Sequence, residues 1–477
     1  MAAERTLVVD LDGTLIRSDM LFETFWSGVS RNWRTPFEAA HSLIAGRAAL
    51  KQRMSQVGPV DVGSLPYNPS VLDYIARWRA GGGRTALVTA ANQQVADQIA
   101  EHLGLFDEVH GSDAVLNLKG ENKASFLEAR YGRRGFDYIG DAQADLPVWE
   151  RAACAIMVGV PAALRARVAA FGREIVDLPA NMPVASASLR VMRPHQWLKN
   201  LLVFLPLLAA HQINGQSLAL AALAFVAFSF VASSVYVLND LLDLAADRAH
   251  PRKKNRPFAS GALPLSHGTL LAPALLFIGL GLSLALGKMF VLAVLGYYMA
   301  TMAYSLALKR QPIIDIVMLA GLYTARIVAG GVSAGIPISV WLLAFSGFFF
   351  FSLAAVKRQA ELVDVVASGR EKAHGRGYTG ADLPVVTAMA TASGYVSILV
   401  LGLYINSPAV LELYANPPML WGVCLVMFYW VNRLVMLTHR GQMHDDPVVF
   451  AVTDRTSQLC FATVTAIIAL GAVGGIG

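Results

Sequence analysis

The chain has 477 residues, 55% of them hydrophobic and 15% charged, with a formal net charge of +6 and a mean hydropathy of +0.49. A soluble globular protein carries roughly 25% charged residues, so the composition excludes a wholly soluble enzyme, a disordered regulator and a secreted disulfide scaffold. The three cysteines (Cys154, Cys424, Cys460) are far apart, fit no metal spacing and are expected to fill apolar space.

Residues 1–180 hold 19 Lys+Arg and 21 Asp+Glu, and the remainder 20 and 12, so the positive charge belongs to the second half. There it sits in short loops between apolar runs, the pattern of a membrane protein and not of a nucleic-acid binder. The first half reads as a soluble α/β domain. Four short apolar runs, Thr6–Val9, Arg84–Val88, Phe136–Ile139 and Ala155–Val158, are each followed by turn chemistry or a helical pattern. That alternation predicts a parallel sheet with helices on both faces. Thr6–Val9 is short and ends in acidic residues, so no cleavable signal peptide is expected. Residues 17–80 have helical periodicity and are too long for a simple crossover, which predicts a helical cap.

Asp10-Leu-Asp12-Gly13-Thr14 follows the first run. Two carboxylates at a strand tip lie where ligands bind in parallel sheets, and they can share a metal and a phosphate. Thr89 closes the second run, Lys123 opens a helical segment, and Gly140-Asp141-Ala-Gln-Ala-Asp145 follows the third. In this order the four motifs resemble the haloacid-dehalogenase superfamily, specifically its phosphoserine-phosphatase-like members with a small helical cap. The resemblance covers about residues 5–170. It implies an α/β Rossmann-like domain with Asp10 as nucleophile and Asp12 as general acid, then base. Thr89 and Lys123 would hold phosphoryl oxygens, Lys119 being the competing lysine. Mg²⁺ would sit among Asp10, Asp141 and Asp145, with Asp12 counted in the same metal site.

After a linker at 179–192, nine apolar segments are expected, near 197–211, 217–241, 267–287, 289–308, 313–331, 338–356, 384–405, 417–437 and 457–476. Most approach the roughly 20 residues of a membrane-spanning helix; the first is short. Even-numbered connections hold nearly all the basic residues, among them Arg252, Lys309, Arg370 and Lys372, whereas odd-numbered ones hold only Lys288. That asymmetry predicts a multi-pass membrane protein with its N-terminus cytoplasmic and its C-terminus outside; the location expected is a bacterial inner membrane. The fold class expected is therefore two-domain: α/β at 1–178, and an all-α polytopic membrane domain with nine transmembrane helices at 193–477.

The second apolar segment ends in Asn239-Asp240-Leu-Leu-Asp243-Leu-Ala-Ala-Asp247. On one helix the three acids share a face and call for a cation between them, and the basic run Arg252–Arg256 beside them suits a polyphosphate. With Arg193-Pro-His-Gln-Trp-Leu-Lys199-Asn200, these residues resemble the UbiA superfamily of intramembrane prenyltransferases over about 190–477. A second acidic motif typical of that family is replaced by Lys357-Arg358-Gln-Ala-Glu361-Leu-Val-Asp364. Together with His250-Pro251, Arg326–Gly331 and Asp454-Arg455, that departure resembles the decaprenyl-phosphate phosphoribosyltransferase branch. The resemblance implies transfer of 5-phosphoribose from PRPP to a polyprenyl phosphate at the bilayer. Asp240 and Asp243 would be catalytic, and Asp240, Asp243 and Asp247 would hold Mg²⁺. Substrate contacts would come from Lys199, Asn200, Asn239, Arg248, Lys254, Arg256, Tyr304, Arg326, Lys357, Arg358 and Glu361, with Asp315 a further candidate. His439, His444 and Asp445–Asp446 read as a polar loop.

The fusion suggests that the first domain removes the 5-phosphate of the transferase product, giving a lipid phosphoribose for arabinose-containing envelope precursors. The alternatives are prenyl diphosphate transfer to an aromatic acceptor and a regulatory, non-catalytic phosphatase-like domain. A transporter is disfavoured because no acidic relay crosses the bilayer. A homo-oligomer is left open.

Overall fold

The computed structural model describes residues 5–112, 117–179, 184–369, 376–443 and 446–473. Part of the expected linker (180–183) and four of the loop residues named above, Arg370, Lys372, His444 and Asp445, lie outside the described residues. The chain forms two compact units, Met1–Arg193 with Tyr236–Ala274, and Pro194–Val235 with Leu275–Gly477. The segment Tyr236–Ala274, which the sequence assigns to the membrane part, packs with the N-terminal residues.

The first unit is built on a six-stranded parallel sheet: β1 (Thr6–Val9), β2 (Arg84–Asn92), β3 (Glu108–Ser112), β4 (Phe136–Gly140), β5 (Cys154–Val158) and β6 (Glu174–Leu178), in the order β3-β2-β1-β4-β5-β6. This is a doubly wound order. Side chains alternate across the pleat: Leu7 and Val9 join Leu87, Ile139 and Ile156 on one face, while Val8 joins Val88, Tyr138 and Trp149 on the other. Chain order reverses beside β1, which opens a crevice at the carboxyl ends of β1 and β4. The four runs read from sequence are all strands. The two that were not read, β3 and β6, form the sheet edges.

Between β1 and β2, helices Met20–Arg31, Thr35–Ile44 and Arg47–Val57 form the helical insert. Helix Pro69–Ala80 instead buries Val71 and Ile75 against the sheet. The first insert helix is capped by Asp19, whose side chain accepts the Leu21 N–H at 2.8 Å. It is anchored within the unit by Glu23, which takes the Arg248 guanidinium on both oxygens at 2.6 and 3.0 Å, and by Trp26, whose Nε1 donates to Thr269 Oγ1 at 3.0 Å. The Glu23 and Arg248 side chains are only 3% and 6% exposed. Breaking a buried pair strands the surviving charge. Glu23→Ala is therefore expected to lower unfolding stability by about 3–5 kcal/mol, and Glu23→Gln with Arg248→Met to recover much of it. Denaturant unfolding of the purified chain measures both.

Eight helices among the described residues are long and apolar enough to cross a membrane: Gly215–Leu242, Leu265–Leu284, Lys288–Leu306, Ile314–Ala334, Val340–Ala367, Gly380–Ile405, Pro417–His439 and Arg455–Ala472. The first of the nine expected segments is different. It is a 3₁₀ helix, Pro194–Phe204, followed by the short helix Leu205–Ala209. Pro194 and Pro206 remove backbone donors there. Eleven residues at a 3₁₀ rise of about 2 Å plus five at the α rise reach at most about 30 Å, the depth of a bilayer core. In the second unit, Val340–Ala367 centres the packing: Phe350, Leu353, Ala354 and Leu362 meet Ile327, Val386, Trp430 and Leu434.

Candidate functional sites

The acid-rich crevice of the first unit is assembled by short-range chain geometry. The Asp10 N–H donates to the Ile139 carbonyl of β4 at 3.0 Å, tying the tip of β1 to its neighbour. Gly13 sits at φ +76°, and a Cβ there would lie 2.3 Å from Asp141 Oδ2, so only glycine lets the two turns approach. Thr14 Oγ1 donates to Asp141 Oδ1 at 3.1 Å. Lys123 Nζ, 2% exposed, donates to Asp10 Oδ1 at 2.7 Å and to Tyr138 Oη at 3.0 Å. Tyr138 Oη in turn donates to Asp145 Oδ1 at 2.7 Å, and Asp145 Oδ2 accepts the Ala142 N–H at 3.1 Å.

Asp10, Asp141 and Asp145 each offer an oxygen within 4.8 Å of the other two. Burial raises the Asp141 pKa to about 7, helped by the charges of Asp10 and Asp145. Burial, then Asp10, raises that of Asp145. Three converging hard-oxygen donors of this kind fit a Mg²⁺ ion. The Asp12 carboxylate stands outside this trio: its Oδ1 accepts the Met20 N–H at 2.8 Å. Burial, then the Asp19 charge, raises its pKa well above the carboxylate range, as suits an acid that must hold a proton. Lys123, not Lys119, touches Asp10; Lys119 lines the surrounding cavity of about 970 Å³. Thr89 differs from expectation. β2 continues past it to Asn92, and its buried hydroxyl accepts the Ala91 N–H at 3.0 Å. Ala90 and Asn92 line the cavity in its place.

The acidic motif is also in the first unit. Its helix stops at Leu242 and restarts as Leu244–Ala249, with Asp243 as the N-cap between them, so the three acids do not share one continuous helix. Asp240 accepts from Arg193, and from Arg256 Nη1 at 3.1 Å; the same Arg256 nitrogen donates to Asp247 Oδ2 at 2.6 Å. Asp240 and Asp247 are 2% and 3% exposed. The cation that their spacing demands is thus a guanidinium in this arrangement. Buried Asn239 Oδ1 has no hydrogen-bond partner among the described residues, leaving a hard donor next to Asp240 in sequence that fits a divalent ion. Arg248 faces away to Glu23 and the Ala259 carbonyl, so it is not placed for substrate. Lys254 is exposed.

In the second unit, Arg326 is 4% exposed and its donors are engaged: Nε with Asn200 Oδ1 and Nη2 with Tyr297 Oη, both at 2.9 Å. Asn200 Nδ2 also donates to Ser229 Oγ at 2.9 Å. Arg358 is fully buried against Asp315 at 2.6 Å and also pairs with Glu361, while Tyr304 accepts from Arg376 at 2.8 Å. In this arrangement these side chains tie elements of the second unit together. Asp454 pairs with Arg433 at 2.7 Å and not with Arg455.

Sequence reading missed Asp446. Its Oδ2 meets Lys199 Nζ at 2.7 Å and Lys357 Nζ at 3.0 Å, and its Oδ1 accepts from Tyr323 Oη at 3.3 Å. Against the upward pull of burial, Lys357 and Lys199 hold its carboxyl well below the usual range. The Asp446-Pro447 step, with Val448 N donating to Asp446 Oδ1 at 3.1 Å, is an N-cap signature that could have marked it as ordered. Asp446→Asn is expected to cost about 1–3 kcal/mol, read as a lowered Tm, because two partly exposed ammonium groups lose their shared counter-charge.

Comparison with known proteins matches residues 200–454 to the UbiA prenyltransferase family and residues 7–150 to haloacid dehalogenase-like hydrolases. The chain is 38% identical to the uncharacterized protein y4nM of Sinorhizobium fredii, over 94% of this chain and 88% of that one. It is 37% identical to nodulation protein NoeC of Azorhizobium caulinodans, over 56% of this chain and 87% of that protein. It is 32% identical to decaprenyl-phosphate phosphoribosyltransferase of Mycolicibacterium smegmatis, over 59% of this chain and 91% of that one. The chain is a multi-pass membrane transferase of the UbiA prenyltransferase family that carries an N-terminal haloacid dehalogenase-like domain.

Proposed function

We propose that the chain transfers 5-phosphoribose from PRPP to a polyprenyl phosphate, and that its N-terminal domain then removes the 5-phosphate. The observation that carries the first half is the Lys199–Asp446–Lys357 cluster. Its Lys357 belongs to the segment that replaces the second acidic motif of the resembled family, and two lysines suit a phosphate group better than a second metal. The phosphoribosyltransferase relatives support the same donor and acceptor. A lipid phosphate oxygen would attack C1 of ribose as the C1–O bond to diphosphate breaks. Mg²⁺ held by Asp240, Asp243, Asp247 and Asn239, and in the phosphatase by Asp10, Asp141 and Asp145, would neutralise phosphate charge. Arg256, already between two of the acids, would turn to the diphosphate.

In the phosphatase, Asp10 attacks the phosphorus and forms an aspartyl phosphate, while Asp12 gives its proton to the departing sugar oxygen. Asp12 then takes a proton from the water that releases phosphate and restores Asp10. Lys123 holds Asp10 and a phosphoryl oxygen. The basic loops favour a cytoplasmic N-terminal α/β domain, and the bacterial relatives favour a bacterial inner membrane.

The test is purified protein with Mg²⁺, polyprenyl phosphate and PRPP labelled in ribose, beside labelled prenyl diphosphate with an aromatic acceptor. Ribose label in lipid without a 5-phosphate is expected. Label entering only from prenyl diphosphate would replace this reading with the conventional family reaction.

A further inference from the structure

The phosphatase cavity is lined by three cations besides the lysine that meets Asp10. Its floor is Asp10, Asp12, Asp141 and Asp145 with Lys123. A divalent ion and Lys123 offset most of that negative charge. The other three cations are Arg17, Lys51 and Lys119, against the exposed Asp19 alone.

These groups come from different parts of the unit. Lys51 projects from the insert helix Arg47–Val57, and its Nζ donates to the Ala90 carbonyl at 2.7 Å, leaving two of its three donors for a ligand. Asp12 and Asp19 attract it, and Lys119 is near enough to repel it. Arg17 makes a long contact from Nη2 to Asn68 Oδ1 at 3.4 Å, and its buried Nε has no partner among the described residues. Next to it, Ser18 lines the cavity and is 7% exposed, and its hydroxyl likewise has no partner among the described residues. Buried donors are rarely left unmatched. Two adjacent ones in a cavity wall, beside two lysines, describe a ligand position. Gly261, Ala262, Pro264, Leu265 and Ser266 line the cavity as well. There Gly261, at φ +70°, comes so near Arg17 that a Cβ would lie 2.4 Å from the Arg17 Cβ, so the loop holds the arginine against the cavity.

We infer that Arg17, Ser18, Lys51 and Lys119 form a second anion subsite, and that the phosphatase substrate is a sugar phosphomonoester bearing another phosphate ester. This rests on the phosphatase reading above and assigns residues to the second phosphate of its substrate. The second phosphate can belong to a lipid-linked diester or to a soluble sugar bisphosphate.

The experiment uses the full-length Mg²⁺-loaded protein in detergent with ribose 5-phosphate, ribose 1,5-bisphosphate and the farnesyl phosphodiester of ribose 5-phosphate. Expected is a kcat/KM at least about tenfold higher for one or both doubly phosphorylated probes than for ribose 5-phosphate, the scale of one charge-assisted hydrogen bond. Preference for the farnesyl ester identifies a lipid headgroup; preference for the bisphosphate identifies a soluble substrate. Lys51→Met should bring the ratio towards one and Lys51→Arg should restore it. Titration of Asp10→Asn with ribose 5-phosphate and the bisphosphate should show the same preference in Kd without turnover. Equal kcat/KM for all three probes, or a ratio untouched by Lys51→Met, overturns the subsite while leaving the phosphatase intact. Hydrolysis of none of them, nor of p-nitrophenyl phosphate, removes the phosphatase reading itself.

Discussion

Asp240→Asn abolishes entry of ribose label into lipid, by about a thousandfold or more, if the acidic motif holds the donor diphosphate. Charge stabilisation by a bound metal is worth several kcal/mol, and each 1.4 kcal/mol is tenfold in rate. Asp240 is 2% exposed and engages both Arg193 and Arg256, so the neutral amide also leaves two guanidinium groups less well paired. Asp243→Asn separates these effects. Asp243 is half-buried between the two helices, and its loss should cost comparable activity with a smaller fall in Tm. Lipid extracts resolved by mass, alongside thermal unfolding of each variant, give both numbers. Retained labelling in both variants would mean that the donor binds elsewhere.

Asp10→Asn has the opposite signature: transfer continues and the lipid product keeps its 5-phosphate. The amide retains an oxygen for the Lys123 ammonium now 2.7 Å away, so the fold is expected to survive. It cannot form the aspartyl phosphate, and hydrolysis should fall by about a thousandfold or more, as for loss of a covalent nucleophile. Mass analysis would show the phosphorylated lipid accumulating in the variant and the dephosphorylated one in wild type. Identical profiles would assign the N-terminal domain to another substrate or to regulation.

The parts of this protein that were legible in its sequence are those encoded locally. Apolar length marked the membrane helices, and buried strands announced themselves as apolar runs at Thr6–Val9 and Phe136–Ile139. The edge strands did not, because Glu108-Val-His-Gly-Ser112 and Glu174-Ile-Val-Asp-Leu178 are only partly buried and carry the charges that edges tolerate. Motif spacing brought Asp10, Asp141 and Lys123 to notice. It could not show that Tyr138 links Lys123 to Asp145. Spacing also over-read the acidic motif as one unbroken helix. What no local pattern carries is the partner of a long side chain. Arg248 and Arg256 stand eight residues apart in one basic segment, yet one is spent on Glu23 and the other lies between two aspartates.

The Glu23–Arg248 pair and the Trp26–Thr269 hydrogen bond bear on how such a fusion can be divided. A phosphatase cut out as residues 1–178 would keep its sheet and its nucleophile. It would lose the guanidinium that neutralises Glu23, the partner of Trp26, and the 261–266 wall of its own cavity. The domain is thus continuous in function but not in sequence. Gene fission at the apparent boundary would have to replace an acidic, aromatic face with a polar one before the free enzyme became soluble. A split that carried Tyr236–Ala274 along would take the acidic motif away from its membrane helices.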